Sequence, residues 1–206
     1  HNAIAEQLKV HSITRKYYAI VHGVIKEDAG TVNAPIGRHP VDRKKMSINE
    51  KNGKPAVTHY KVLERFGDYT YMQFKLETGR THQIRVHMAF IGHPVLGDPL
   101  YGGERGAVFT QNRQLIHGQC LHAARLEFNH PRTGEPMCFT APCPDDMQRL
   151  MSILKEIKAS GENFVTECRI ITRSGETKIL ILTLYYTSAE ESIDGIPSFY
   201  SVGVDV

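Results

Sequence analysis

The sequence predicts an α+β fold: a mixed, mainly antiparallel sheet with flanking helices, then a small three-stranded antiparallel tail. Three observations carry this. Runs rich in β-branched and aromatic residues recur at 15–23, 53–63, 69–76, 119–128 and 135–142, with Gly- and Pro-bearing turns between them. The run 69–76 passes through Thr78-Gly79 into residues 81–91, where Ile84, Met88 and Ile91 recur at i, i+4 and i+7, a helical stripe. Beyond a helix pattern at 147–159 lie three more strand-like runs, 164–172, 178–187 and 198–206.

In chain order, residues 1–10 read as a helix with Ile4 and Leu8 on one face, breaking near His11-Ser12. The pattern opens at His1, so the expectation is a chain that begins inside a domain. Residues 15–23 form a strand whose neighbours Tyr17 and Tyr18 face opposite sides, one ring in the core and one outside. Residues 30–55 read as a loop by their Gly and Pro punctuation. Arg38, Arg43, Lys44 and Lys45 cluster there, either as a solvated loop or as phosphate contacts that position a nucleic acid without reading it. Gly67-Asp68 joins the strands 53–63 and 69–76 as a hairpin. Gly92 and Pro94 stop the helix after residue 91. A loop runs from Gly102 to Asn112, and Asp146 is the expected N-cap of the terminal helix.

Composition is that of a globular protein, with 41% hydrophobic and 23% charged residues. No run reaches the roughly 18 apolar residues a membrane span needs, and no signal peptide opens the chain; the expected setting is cytoplasmic. The net charge of +3 is uneven: residues 1–146 hold 19 Lys/Arg against 14 Asp/Glu, and residues 147–206 hold 6 against 8. A mildly basic first part permits a polyanionic partner. Cys120, His122, Cys138 and Cys143 have spacings that fit no common zinc motif, so buried reduced thiols are expected and no metal.

Residues 77–102 concentrate the chemistry: ETGRTHQIRVHMAFIGHPVLGDPLYG. Arg80 and His82 stand where a strand hands over to a helix N-terminus, whose free N–H groups and dipole favour an anion. Arg85, three residues on from His82, points the same way. The stretch from Gly79 to Gly102 resembles the signature of the RluA/RluD-type RNA pseudouridine synthases. The stretch from Arg15 to Gly23, with Tyr17, Ala19, Val21 and Gly23 in step, resembles that family's K-x-Y-x-A-x-V-x-G strand. Residues 119–128 are similar to its LHA strand. The resemblance covers about residues 1–150.

The resemblance implies a pseudouridine-synthase-type sheet and an enzyme that isomerises uridine in structured RNA, large-subunit rRNA by its RluD leaning, with no cofactor. It implies Tyr17 as the active-site tyrosine and Arg85 as the guanidinium that pairs with the essential Asp. Arg80, His82, Arg38, Arg43, Lys44 and Lys45 are then the candidates for RNA contact. The family's HRLD-x-x-T-S-G segment, which carries that Asp, occurs nowhere in these 206 residues. Asp98 reads as a turn residue. The expectations are an unfilled place opposite Arg85 and a chain not competent for catalysis alone.

Residues 160–206 resemble the last three strands of a PAS sensor domain. Three parts are expected: 1–146, the synthase-type domain; 147–159, a connecting helix; and 160–206, the PAS-like half. That division suggests a chimera and an alternative role as a sensor or homodimerisation module.

Overall fold

The computed structural model describes residues 1–160 and strands 164–171, 177–187 and 198–205, with side chains as far as residue 158. It divides into two compact units, His1–Leu150 and Met151–Val206.

In the first unit, helix α1 (Asn2–Lys9) has no buried residue and leads into strand β1 (Thr14–His22). Strands β2 (Ala29–Asn33), β3 (Ile36–Arg38), β4 (Met46–Ile48), β5 (Val57–Arg65) and β6 (Tyr69–Leu76) follow. Helix α2 (Gln83–Phe90), a short helix α3 (Ala107–Gln111), strands β7 (Leu121–Asn129) and β8 (Pro136–Thr140) and the first residues of helix α4 (Asp145–Ser160) complete it; α4 runs on into the second unit. The main sheet has the order β2-β5-β6-β1-β7-β8, and its described pairings are antiparallel. No parallel pair occurs among the described residues, so the expected mixed character is not found there.

Alternation along β1 sends Tyr17, Ala19 and Val21 to one face. Across the ladders their partners include Phe74 and Met72 of β6, and Tyr60 and Val62 of β5 follow in step. Ile84 and Met88 of α2 pack onto this face in the core cluster, as the stripe predicts, with Tyr17 and Ile91 against it. The other side of α2 is also covered: Val86 packs with Ile36 and Ala56, beside Met46, Ile48 and Tyr101. A helix between a sheet and a hairpin buries its whole girth, and residues Gln83 to Met88 are all buried. Gly92, at φ 87, ends α2, and its N–H reaches Ala89 O while that of His93 reaches Met88 O.

Five expectations change. The span 30–55 is not a loop throughout; β3 and β4 pair as a hairpin within it, Ile36 opposite Ile48. The loop after Gly102 contains α3. Tyr18 is not outside: it is half-buried with its ring 5.8 Å from that of Tyr71, and burial, with Cys143 nearby, pushes the Tyr71 phenol up to about 12. Asp146 lies inside α4, not before it; its carboxylate accepts from the Met147 N–H at 2.7 Å. Among the thiols, Cys138 is exposed, contrary to expectation. Burial pushes the Cys120 thiol to about 12.

The second unit holds strands β9 (Phe164–Ile171), β10 (Thr177–Thr187) and β11 (Ser198–Asp205). They form an antiparallel sheet in the order β11-β10-β9, with Leu180 opposite both Cys168 and Asp205. The turns and side chains on which the PAS resemblance rests lie outside the described residues.

Candidate functional site

The turn between β6 and α2 is built around one side chain, Gln83. It is 3% exposed. Its amide nitrogen donates to Val57 O at 2.9 Å and to Thr58 Oγ1 at 3.0 Å. Its amide oxygen accepts from Thr78 Oγ1 at 2.7 Å and from the Arg80 N–H at 2.9 Å. All four of its hydrogen-bonding positions are used, as burial demands. Thr58 in turn meets His87 Nδ1 at 2.9 Å, and His87 Nε2 meets Ala34 O at 2.9 Å. Because Ala34 O can only accept, Nε2 carries the proton and Nδ1 accepts from the Thr58 hydroxyl. Burial holds the His87 pKa below its ordinary value.

One residue before α2, His82 takes left-handed dihedrals, φ 57, as its N-cap and offers no side-chain cap. Its Nδ1 lies 2.9 Å from the Tyr101 hydroxyl. That hydroxyl accepts the Met46 N–H at 2.9 Å, so its own proton goes to His82. Burial, reinforced by the nearby Arg85 charge, lowers the His82 pKa. A neutral ring with Nδ1 accepting leaves Nε2–H as its remaining donor.

Arg85 is 8% exposed and Asp98 is fully buried. The guanidinium donates through Nε to Asp98 Oδ2 and through Nη2 to Oδ1, both at 2.7 Å, a bidentate fork. Its Cζ lies 5.0 Å from the Tyr101 ring centroid. Asp98 Oδ1 also accepts the N–H groups of Leu100 and Tyr101. Burial alone raises a carboxyl pKa; the Arg85 fork and these two amides outweigh it and hold Asp98 below the ordinary carboxylate range. The expectation of an unfilled place opposite Arg85 is therefore corrected. Asp98 is a turn residue, as read, and also the partner of Arg85, taking Nε and Nη2.

The other predicted residues divide. Tyr17 is half-buried on the sheet face that α2 covers, so it shares that side of the sheet with the helix carrying Arg85. Arg80 is half-buried, and its Nε donates to Pro55 O at 3.0 Å. It lines a recess with Arg38, Lys54 and Thr81. Arg43 and Lys44 are exposed between β3 and β4, and neither lines that recess. Lys45 is half-buried and 3.8 Å from Asp42 Oδ2. The sequence does not single out Gln83, His87, Thr58 or Tyr101. Gln83, His87 and Tyr101 lie inside the quoted run, and only their burial and hydrogen bonds mark them out.

No group of three or more His, Cys, Asp or Glu side chains suited to a metal ion occurs among the described residues. Among the same residues no helix is long and apolar enough to cross a membrane.

Comparison with known proteins meets this geometry. The RNA pseudouridylate synthase family matches residues 1–90. The uncharacterized RNA pseudouridine synthase YlyB of Bacillus subtilis is 51% identical over 156 residues, 76% of this chain and 49% of that protein. The ribosomal large subunit pseudouridine synthase D of Xanthomonas campestris is 50% identical over 163 residues, with the same two shares, 76% and 49%. The chain thus spans about half the length of the curated relatives it matches. Among solved structures, human RNA pseudouridylate synthase domain containing 1 superposes with a TM-score of 0.55 at 28% identity, over 75% of this chain and 70% of that one. Sequence motif, antiparallel sheet and relatives agree: the chain carries a domain of the RNA pseudouridine synthase family, of the RluA/RluD type.

Proposed function

We propose that this domain isomerises uridine to pseudouridine in structured RNA, with large-subunit ribosomal RNA as its substrate class. The observation that carries the reading is that Tyr17 lies on the sheet face covered by the helix of the Gly79–Arg85 run. The phenol and the guanidiniums of that run thereby share one side of the sheet. The reaction breaks the N1–C1′ bond, turns the base and rejoins it through C5. Substrate and product are isomers, so no oxidant, reductant or co-substrate is consumed. Tyr17 packs on the uracil and assists removal of the C5 proton. Arg85, with Asp98 on Nε and Nη2, has Nη1 as the nitrogen that can meet a second carboxylate. Arg80, His82, Arg38, Arg43, Lys44 and Lys45 contact the RNA, His82 through its Nε2–H.

No HRLD-x-x-T-S-G stretch occurs in the 206 residues, and the 206-residue chain is proposed to bind RNA without turning it over. Tritium release from C5-labelled uridine RNA tests this. No release is expected from the chain alone, and release is expected once an HRLD-bearing segment is fused before His1. Robust turnover by the chain alone overturns the first statement, and a silent fusion that still binds RNA overturns the enzymatic one.

For residues 160–206 we propose a PAS-like dimerisation half. Its support is a sheet whose edge strands, β9 and β11, each pair on one side among the described residues. Sedimentation of the full chain should show concentration-dependent dimers that disappear on deleting 160–206. A chain that stays monomeric at all concentrations refutes this role.

A further inference from the structure

Arg80 has a second recess on its other side. It encloses about 450 Å³ and is lined by Lys9, His11, Arg15, Glu77, Gly79 and Arg80 among others. Of these, only Arg80 is among the RNA-contact residues named above. Four basic side chains meet one carboxylate, and that carboxylate is engaged elsewhere: Glu77 Oε1 is 2.5 Å from His59 Nε2.

Arg15 is loosely held for a half-buried arginine. Its Nε is buried with no hydrogen-bond partner among the described residues. Its Nη2 reaches Glu77 O only at 3.4 Å. A buried N–H left without an acceptor is costly, and an anion that supplies one is favoured. Gly79 permits the arrangement, because a Cβ there would collide with Arg15 Nη1.

His11 adds a strained backbone. It has φ 55, and His82 is the only other non-glycine residue with positive φ among the described ones. Two such residues flank the Arg80 turn, and strain of this kind concentrates at functional sites. His11 Nδ1 donates to Glu77 O at 2.5 Å, so its Nε2 remains for a ligand. Arg15 precedes Tyr17 by two residues on β1, which places both on one sheet face.

A recess with a fork of N–H groups, an imidazole and two further cations matches a tetrahedral oxyanion. We propose that the recess of Lys9, His11, Arg15 and Arg80 binds one backbone phosphate of the substrate RNA beside the target uridine, with Gly79 making room for Arg15. This deepens the reading of the domain as an RNA-modifying one and rests on it.

The test uses the full 206-residue chain and a uridine-bearing stem-loop RNA, read by fluorescence anisotropy between 50 and 200 mM salt. A neutral methylphosphonate is moved along the strand one position at a time. Wild type is expected to lose about tenfold in affinity at one position beside the uridine. R15M should lose a similar amount for unmodified RNA, lose nothing more at that position, and show a salt slope shallower by about one. G79A keeps every charge yet displaces Arg15, so it should reproduce the R15M loss; it also serves as the reading if R15M does not fold. The proposal is overturned if G79A and R15M bind like wild type, or if no methylphosphonate position couples to Arg15. A wild type that binds no RNA defeats the functional reading as well. Binding that depends on Arg38 and Arg80 but not Arg15 defeats only the recess.

Discussion

Arg85 and Arg80 stand five residues apart in one run and end in different media. Arg85 points into the layer between sheet and hairpin, where its charge is taken by Asp98 and its face by Tyr101. Arg80 stands at the rim with one bond to a carbonyl, lining the recesses on both sides. The difference teaches that a dense motif need not be a dense site. One part of the run is an internal brace, and the other is the surface that the brace holds still. Gln83 ties the Arg80 turn to the sheet: its oxygen takes the Arg80 N–H and its nitrogen reaches β5.

Breaking the brace has the largest expected effect. Asp98→Ala leaves Arg85 buried without its carboxylate and orphans two turn amides, and should cost about 3–5 kcal/mol in urea unfolding. Asp98→Asn keeps an acceptor for those amides and should cost less. A loss under about 1 kcal/mol for the alanine variant means that the pair does not brace the fold.

Cutting the link comes next. Gln83→Ala should cost about 2–3 kcal/mol, because Thr58, Thr78 and two backbone groups lose a partner in a buried layer. Unlike the Asp98 variants, it should also weaken RNA binding in the surviving folded fraction, since the Arg80 backbone is no longer held. Unchanged affinity per folded molecule would separate the two regions completely.

The third effect is a pH limb. His87 and His22 have folded pKa values lowered chiefly by burial, so the unfolded chain binds protons that the folded one resists. Their contribution to stability is therefore complete above the unfolded value of about 6.5 and is lost as pH falls through the lowered folded values. Each histidine adds a slope of at most about 1.4 kcal/mol per pH unit. Unfolding midpoints measured from pH 7.5 to 5 should fall, and His87→Gln should flatten part of that fall. An equally steep curve in that variant would remove His87 from the account.

Arg80→Ala should disturb the fold least, within about 0.5 kcal/mol of wild type, while making the salt slope of RNA binding shallower by about one. A large loss of stability instead would place Arg80 in the brace.

Local pattern is strongest where a strand or helix is long and buried on one face. The run 69–76 reads from sequence with the limits it has in the structure, and the stripe of Ile84, Met88 and Ile91 identifies the face of α2 that meets the sheet. Pattern is weakest where elements are short. β3 and β4 have three residues each and exist by pairing with one another, while α3 has five, too few for a 3.6-residue period to show. At the site, Tyr17 and Arg80 are legible because motif and strand alternation place them. Asp98 as the partner of Arg85 is not, since thirteen residues and a chain reversal separate the two.

The sequence by itself determined the family, the strand bearing Tyr17, the hairpin of β5 and β6, and the helix that stops at Gly92. Each is written in residues adjacent or periodic along the chain, where local sterics and the burial of one face act. Tertiary structure alone decided which charges are internal, because burial on the second side of α2 comes from a hairpin about forty residues upstream. Desolvation there forces the polar groups of Gln83 and His87, and Nε and Nη2 of Arg85, to find partners, and those partners come from distant turns and strands that no spacing in the run announces.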